Sequence, residues 1–491
     1  MGGPAAGMPR YGVAIIGAGL GGIALSWYLQ QAGIKDFAIF EKAAGVGGTW
    51  RENTYPGAGC DVPSHMYSFS FARRYPWAYR YGKQPEILAY ARHCIAQNRL
   101  EAHLHFNTEV TAARFEEALS VWRLTFADGR QCEAEMLVSA VGQLSRPQLP
   151  DIPGRDLFHG PAFHSAHWDH DCGLHGKRVA VIGTGASAIQ FVPEIAGQVA
   201  HLDLYQRSPG WTIAKHERRR SAFENWAFNH IPGLQRLNRL RIFLVMEFLA
   251  YAYNGHPRVE RLVRFISKQR LRRLIADPAL RARLTPDFPV GCKRILLTSD
   301  WYRTLTRDNV AVVSDAIAEI NAAGVKTADG RQRDVDAIIY GTGFEATEFL
   351  TPMQVTGRDG RDLHNVWKSG AEAYLGLAIA GFPNFFVLYG PNTNLGSGSM
   401  IFMLECQSRY IAEIAAQRAR AHWKTVEIGA SAYAAYVQEM DTRSARTTYH
   451  GACHSWYKNA AGRNTNNWIG SCTEYWRRTR RPRFSDYEVK A

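Results

Sequence analysis

An α/β protein with two Rossmann-like domains and a helical insertion in the second is the fold the sequence predicts, on three observations. "YGVAIIGAGLGGIALSWYL" runs from an apolar strand through a glycine-rich turn into a helical pattern. "KRVAVIGTGASAIQFV" repeats that order later in the chain. Between Trp211 and Leu284 strand signals vanish and helical periodicity takes over.

The first unit carries Gly17, Gly19 and Gly22 at GxGxxG spacing, and the second carries Gly183, Gly185 and Ala188. In such a turn the first glycine bends the chain and the second lets backbone approach a pyrophosphate. The third position needs a small residue for close helix packing, and the helix N-terminus faces the phosphates. The residue ending the next strand separates the two sites. Glu41, after "DFAIF", can accept hydrogen bonds from ribose hydroxyls, as in NAD or FAD sites. Arg207 stands at the matching place after "HLDLYQ". A carboxylate there would repel a 2′-phosphate, whereas a guanidinium can pair with it bidentately. The second site is therefore expected to hold NADP, and FAD is the natural candidate for the first.

Further along, "EMLVSAVGQLSRPQLPDIPG" and "VDAIIYGTGF" each carry an apolar strand into a glycine turn, which suits a crossing between dinucleotide domains. "LQRLNRLRIFLVMEFLAYAY" reads as a partly buried helix of the insertion. The stretch from Thr425, rich in aromatics, Asn and Arg, is expected to close the molecule as helices and loops. The predicted division is 1–150 for the first part of the FAD domain and 151–213 for the first part of the NADP domain. The helical insertion takes 214–288, the rest of the NADP domain 289–344, and the second FAD part with the closing segment 345–491.

A chain of 491 residues is too long for one core. Its 46% hydrophobic and 21% charged content is that of a globular protein. The opening "MGGPAAGMPRYG" lacks the charged start and long apolar run of a signal peptide. No run of eighteen apolar residues predicts a membrane span. Eight cysteines without a CxxC point to reduced thiols in a cytoplasmic protein. The net charge of +14 is concentrated in Arg258–Leu284 and in "WRRTRRPRF" from Trp476. It reads either as solvated surface or as attraction for an anionic cofactor or a membrane surface. No nucleic-acid motif accompanies it, so nucleic acid is not an expected partner.

"FHGPAFHSAHWD", Phe158 to Asp169, packs three histidines and a tryptophan into twelve residues. Alone, its histidines could be ligands, a proton relay, or polar residues on a connector. No cysteine pair lies close enough to suggest a metal.

Flanked by two dinucleotide folds, this stretch resembles the fingerprint of the type I Baeyer–Villiger monooxygenases, FxGxxxHxxxW followed by Pro or Asp. Phe158, Gly160, His164, Trp168 and Asp169 match every fixed position. The related flavin-containing monooxygenases usually lack the tryptophan and the acid. The resemblance extends through "GGTWRENTYPGAGCDVPSHMYSFSF", "QRSPGW", "GCKR" and "SWYKNAAGRNTNNW".

The resemblance implies that the stretch is a connector, with His164 hydrogen-bonding to support domain movement and no metal. It implies FAD and NADPH as cofactors and O2 and a small to medium apolar ketone as substrates. One oxygen atom is inserted beside the carbonyl through a flavin peroxide, giving an ester or lactone. Arg294, in "GCKR", matches the catalytic arginine, and Asp61 the acid that positions and tunes it. Lys293 matches the lysine that, with Arg207, holds the 2′-phosphate. Gly48, Thr49, Trp50, Asp61, Tyr67 and the backbone at Val110 resemble FAD contacts. Thr184, Gly185, Ala186, Ser187, Arg207, Ser208 and Lys293 resemble NADP contacts. Met400 falls where a loop passes flavin and substrate, and Trp456 where a mobile loop closes over NADP. Two departures, "GSGSM" and "NAAGRNTNNW", leave substrate preference open.

Rival readings are narrower. A pyridine nucleotide–disulfide reductase would need a redox cysteine where Trp50 stands. A monooxygenase acting on sulfur or nitrogen shares the flavin chemistry, but Trp168–Asp169 and Arg294 argue against it as the main activity. A catalytically silent nucleotide-binding protein would have no use for Asp61 and Arg294.

Overall fold

The protein is described here by a computed structural model covering residues 8–450 and 455–491. Residues 1–7, part of the opening read as lacking a signal sequence, lie outside the described residues.

Strand Arg10–Ile16 is buried over its last four residues, as expected where both faces of a sheet are covered. It pairs in parallel with Phe37–Phe40 on one side and Gln131–Ser139 on the other. Leu104–His105 extends the parallel part, while Val110–Glu116 and Val121–Phe126 add an antiparallel meander beyond Gln131–Ser139. Two late segments return to this sheet. Phe385–Val387 pairs with Gln131–Ser139, and Gln354–Thr356 with Val110–Glu116. Helix Leu20–Gln31 packs against the long helix Met400–Arg420, so the ends of the chain share one core.

The second sheet is five-stranded and wholly parallel, in the order Val310–Val313, His201–Tyr205, Arg178–Ile182, Ala337–Tyr340, Ala162–His164. Apolar clusters cover both of its faces. The fingerprint stretch supplies its edge strand, Ala162–His164. The two sheets bear out the α/β, double Rossmann-like expectation.

The helical stretch leaves and re-enters the domain at one place. Thr212–Ile213 and Leu296–Leu297 are adjacent parallel strands, and helices Ala222–His230, Leu234–Tyr253, Pro257–Leu274 and Pro278–Arg283 lie between them. Local chemistry sets the starts of two of these helices. Ser221 and Glu224 form a reciprocal capping box, and the Asp277 carboxylate accepts from Ala279 and Leu280 N–H.

Two expectations are corrected. The closing segment contains strand as well as helix, because Thr425–Ile428 pairs antiparallel with Tyr487–Lys490. The partners are far apart in sequence, and neither has the length or alternation that marks a strand locally. The cysteines are not all reduced: among the described residues six are free, but Cys292 is disulfide-bonded. The lack of a CxxC spacing does not exclude a disulfide.

Candidate active site

The first glycine turn is closed by backbone contact. Gly17 has φ +105°, and a Cβ on Gly22 would sit 2.1 Å from the Gly17 carbonyl oxygen. Gly48, at φ +52°, stands against this turn, its would-be Cβ 3.2 Å from the Gly19 Cα. Glu41, buried at the end of Phe37–Phe40, accepts from Ala18 N–H (2.8 Å) and Ala43 N–H (2.9 Å). Its carboxylate is thereby fixed at the mouth of the turn. Thr49 and Trp50 open the short helix Thr49–Glu52, and Trp50 Nε1 donates to the Tyr67 hydroxyl at 2.9 Å. Val110 is buried at the start of its strand. A bare backbone cradle with a fixed acid beside it fits a pyrophosphate and a ribose, the needs of FAD.

The second turn has the same design. Gly183 has φ +111°, and its Cβ would meet the Gly341 carbonyl oxygen at 2.4 Å. Gly185 and Ala186 are exposed, with Thr184 and Ser187 half-buried beside them. Lys293 Nζ donates to Ser208 Oγ at 2.5 Å, and Thr184 Oγ1 donates to the Ser208 carbonyl at 3.4 Å. Burial, then the charge of Arg207, lowers the Lys293 ammonium, with Asp287 offsetting both in part. Two cations and a hydroxyl crowded together suit a dianion such as a 2′-phosphate.

Between the turns lies a charged pair assembled from remote segments. Arg294 donates from Nε (3.0 Å) and Nη2 (2.7 Å) to Asp61 Oδ2, and from Nη1 to the Leu395 carbonyl (3.3 Å). Burial alone would raise the Asp61 carboxyl, but the charge and hydrogen bonds of Arg294, helped by Lys215, bring it below the ordinary range. Asp61 in turn pushes the guanidinium above its already high range. Both groups therefore stay ionised across the working pH range.

Other expected residues surround this pair. Met400 opens its long helix, half-buried, next to Ser399, whose hydroxyl donates to the Met66 carbonyl at 3.0 Å. Trp456 packs on Tyr457 with ring centroids 4.5 Å apart, in the cluster that holds Tyr253. In the connector, His164 Nδ1 accepts from Ala166 N–H at 3.1 Å. Its Nε2 is buried and has no hydrogen-bond partner among the described residues. A Cβ on Gly160 would strike the Phe158 ring at 2.8 Å. Asp169 accepts from the N–H groups of Asp171 and Cys172 and so shapes the following turn. Trp168 packs on Phe191, and Phe191 on Tyr55.

Two residues here were not found in the sequence. Gln190, on helix Ala188–Ile195, accepts from Gly59 N–H (3.2 Å) and Tyr55 OH (3.1 Å) and donates to the Gly59 carbonyl (2.9 Å). It ties the second domain to the loop bearing Asp61. Lys215 is buried near Asp61. Neither sits in a motif; only Gln190's place just after the second glycine turn could have drawn attention.

A family model described as pyridine nucleotide-disulphide oxidoreductase matches residues 14–243. A Baeyer-Villiger monooxygenase of Streptomyces coelicolor is 43% identical over 479 residues, covering 97% of this chain and 92% of that protein. The chain belongs to the Baeyer–Villiger monooxygenase family. Solved structures titled oxidized steroid monooxygenase bound to NADP (TM-score 0.87, 30% identity) and OTEMO complex with FAD and NADP (TM-score 0.86, 27% identity) each match 98% of it. They are themselves covered to 99% and 100% respectively. Within this Baeyer–Villiger monooxygenase the disulphide-type match reflects the shared dinucleotide plan. Trp50 occupies the redox-cysteine place, and Cys60 is a buried thiol raised by that burial.

Proposed function

We propose that Arg294 is the cation at the reacting centre, that Asp61 aligns it, and that the substrate is a small to medium-sized apolar ketone. The enzyme is an FAD-dependent, NADPH-consuming monooxygenase that inserts one atom of O2 next to a ketone carbonyl, giving an ester or lactone. FAD, reduced by NADPH, supplies the activated oxygen.

The observation that carries the site assignment is the Arg294–Asp61 pair, with both guanidinium bonds converging on one carboxylate oxygen. A guanidinium remains charged at any working pH, and here its plane is set before substrate arrives. Negative charge develops on oxygen as the carbonyl is attacked, and a pre-oriented cation stabilises that charge without reorganising. Asp61 keeps Arg294 from swinging away, and Leu395 O holds its third nitrogen. Glu41 and the Gly17–Gly22 turn would hold FAD, with Gly48, Thr49, Trp50, Tyr67 and Val110 around it. Thr184 to Ser187, Arg207, Ser208 and Lys293 would hold NADP, and Met400 and Trp456 would border the reacting groups. The connector Phe158–Asp169 would carry movement between domains divided as 1–150 with 345–491, and 151–213 with 289–344. No helix among the described residues is long and apolar enough to cross a membrane; a cytoplasmic place of action belongs to the same proposal.

The test supplies purified protein with FAD, NADPH, O2 and a panel of cyclic, linear, aromatic and steroid ketones plus a sulfide, with products read by mass spectrometry. Esters or lactones from the apolar ketones are expected. Sulfoxide alone would overturn the proposed substrate class.

A further inference from the structure

Helix Leu234–Tyr253 carries apolar residues on both its sides. Ile242 and Ala250 are buried on its inner side, where the Met246 carbonyl accepts from Ser397 Oγ at 2.9 Å. Arg239 donates on that side to the carbonyls of His65 and Ser68. The opposite side should be polar, yet it presents Leu237, Leu240, Leu244, Phe248 and Tyr251 to solvent. At 100° per residue these five fall within an arc of about 80°. Their exposure, 65% at Leu237 and 57% at Leu244, is that of side chains with no protein cover.

The neighbouring elements continue the pattern. On Pro257–Leu274, which packs against this helix, Val259, Val263 and Leu271 face inward while Leu262, Phe265 and Ile266 are exposed. On Ala222–His230, Phe223 and Trp226 stack on each other in solvent, at 72% and 52% exposure. Contiguous exposed apolar surface on this scale marks a docking site.

The charges indicate what docks. Arg236 and Arg241 flank the first stripe by helical spacing, and Arg258, Arg261, Lys268, Arg272 and Arg273 are exposed on the second helix. The acids of these helices are already engaged. Glu224 pairs with Arg218, Glu260 with Arg264, and Glu247 accepts from Cys472 and Thr473. The face is therefore apolar with an uncompensated cationic rim. A second copy docked face to face through a two-fold axis would set these rims against each other. An anionic bilayer surface complements both features, as interfacial amphipathic helices do.

We propose that the insertion helices dock this enzyme peripherally on anionic membrane surfaces, with the Leu237–Tyr251 stripe seated among the lipid headgroups and the arginines and Lys268 on lipid phosphates. Docking brings the Ser397 loop, which leads into Met400, close to the interface through the inner side of the same helix. The inference stands whether or not an apolar ketone is the substrate.

The test is flotation of full-length, FAD-loaded protein with vesicles of phosphatidylcholine alone or mixed with phosphatidylglycerol. Binding to the anionic vesicles is expected, weakening as salt rises. Each basic residue removed should lower it roughly fivefold. Leu244→Asp with Phe248→Asp should cut the bound fraction at least tenfold while FAD content is kept, and Arg272→Ser with Arg273→Ser should weaken binding to the anionic vesicles roughly twenty-five-fold. No flotation, equal binding to neutral vesicles, or undiminished binding of the Asp variant would each overturn the proposal. So would sedimentation showing a dimer that the Asp variant splits, since a second copy would then cover the face.

Discussion

Arg294 is held by three segments that the chain separates widely: Asp61, Leu395 and its own loop after the insertion. Its proposed role sets a demanding expectation. Arg294→Ala should still bind FAD and consume NADPH, but ester formation should fall below detection, with hydrogen peroxide produced instead. Losing one oxyanion donor costs about 2.7–4 kcal/mol, and loss of a full charge here should exceed that. Arg294→Lys should not restore ester, because an ammonium cannot reproduce the planar fork. Product analysis beside rapid-mixing spectroscopy decides this, and near wild-type ester from the alanine variant would remove Arg294 from the mechanism. At the other cationic site, Arg207 is exposed beside Lys293 and Ser208. Arg207→Ala should weaken NADPH by ten- to a hundredfold, from a charge-assisted bond of roughly 1.5–3 kcal/mol, and leave NADH nearly unchanged. Equal losses in titrations with the two cofactors would mean that the arginine serves the fold.

At the scale of elements, the connector is the informative one. Its edge strand Ala162–His164 buries the His164 ring edge-on against Phe344. Burial pushes this imidazole from 6.5 down to about 4, the Gly343 backbone opposing and His167 adding slightly. Above pH 6.5 both folded and unfolded histidine are neutral, and nothing is lost. Between pH 6.5 and 4 the unfolded chain binds a proton that the folded one refuses, so stability falls with pH by as much as ~3 kcal/mol. Thermal melts of wild type and His164→Gln between pH 7.5 and 4.5 test this. The variant should lose less on acidification, and parallel curves would show that His164 does not contribute. The insertion helices teach a different lesson. Their existence was legible from periodicity, but the face each one buries was not, because apolar residues occur on both sides of Leu234–Tyr253.

On the scale of the whole molecule, function requires the two sheets to keep register with each other. Gln190 is one direct tie, making three hydrogen bonds to the Tyr55–Gly59 stretch just ahead of Asp61. The packed rings of Trp168, Phe191 and Tyr55 run alongside it from the connector. Each such bond contributes about 0.5–1.5 kcal/mol. Gln190→Ala is expected to leave FAD and NADPH affinity within about threefold while several-fold more NADPH ends as hydrogen peroxide, because the Asp61 loop is no longer held. Peroxide and ester yields per NADPH measure this, and unchanged coupling would make Gln190 a structural residue only.

The sequence by itself determined the α/β class, the two glycine turns and the helical stretch, because these rest on local periodicity and on backbone conformations that few residues tolerate. The acid at Glu41 and the base at Arg207 were legible for the same reason: each lies a fixed distance along a strand–turn–helix unit. The Arg294–Asp61 contact could be named only through resemblance to a family, since nothing local says that a residue after the insertion meets one near the first turn. Gln190, Lys215, the Thr425–Ile428 ribbon with Tyr487–Lys490 and the outward apolar stripe were decided by tertiary structure alone. Each depends on which surfaces meet across sequence-distant segments, and a hydrogen bond, a strand pairing or a side chain's exposure has no meaning until the chain has chosen its neighbours.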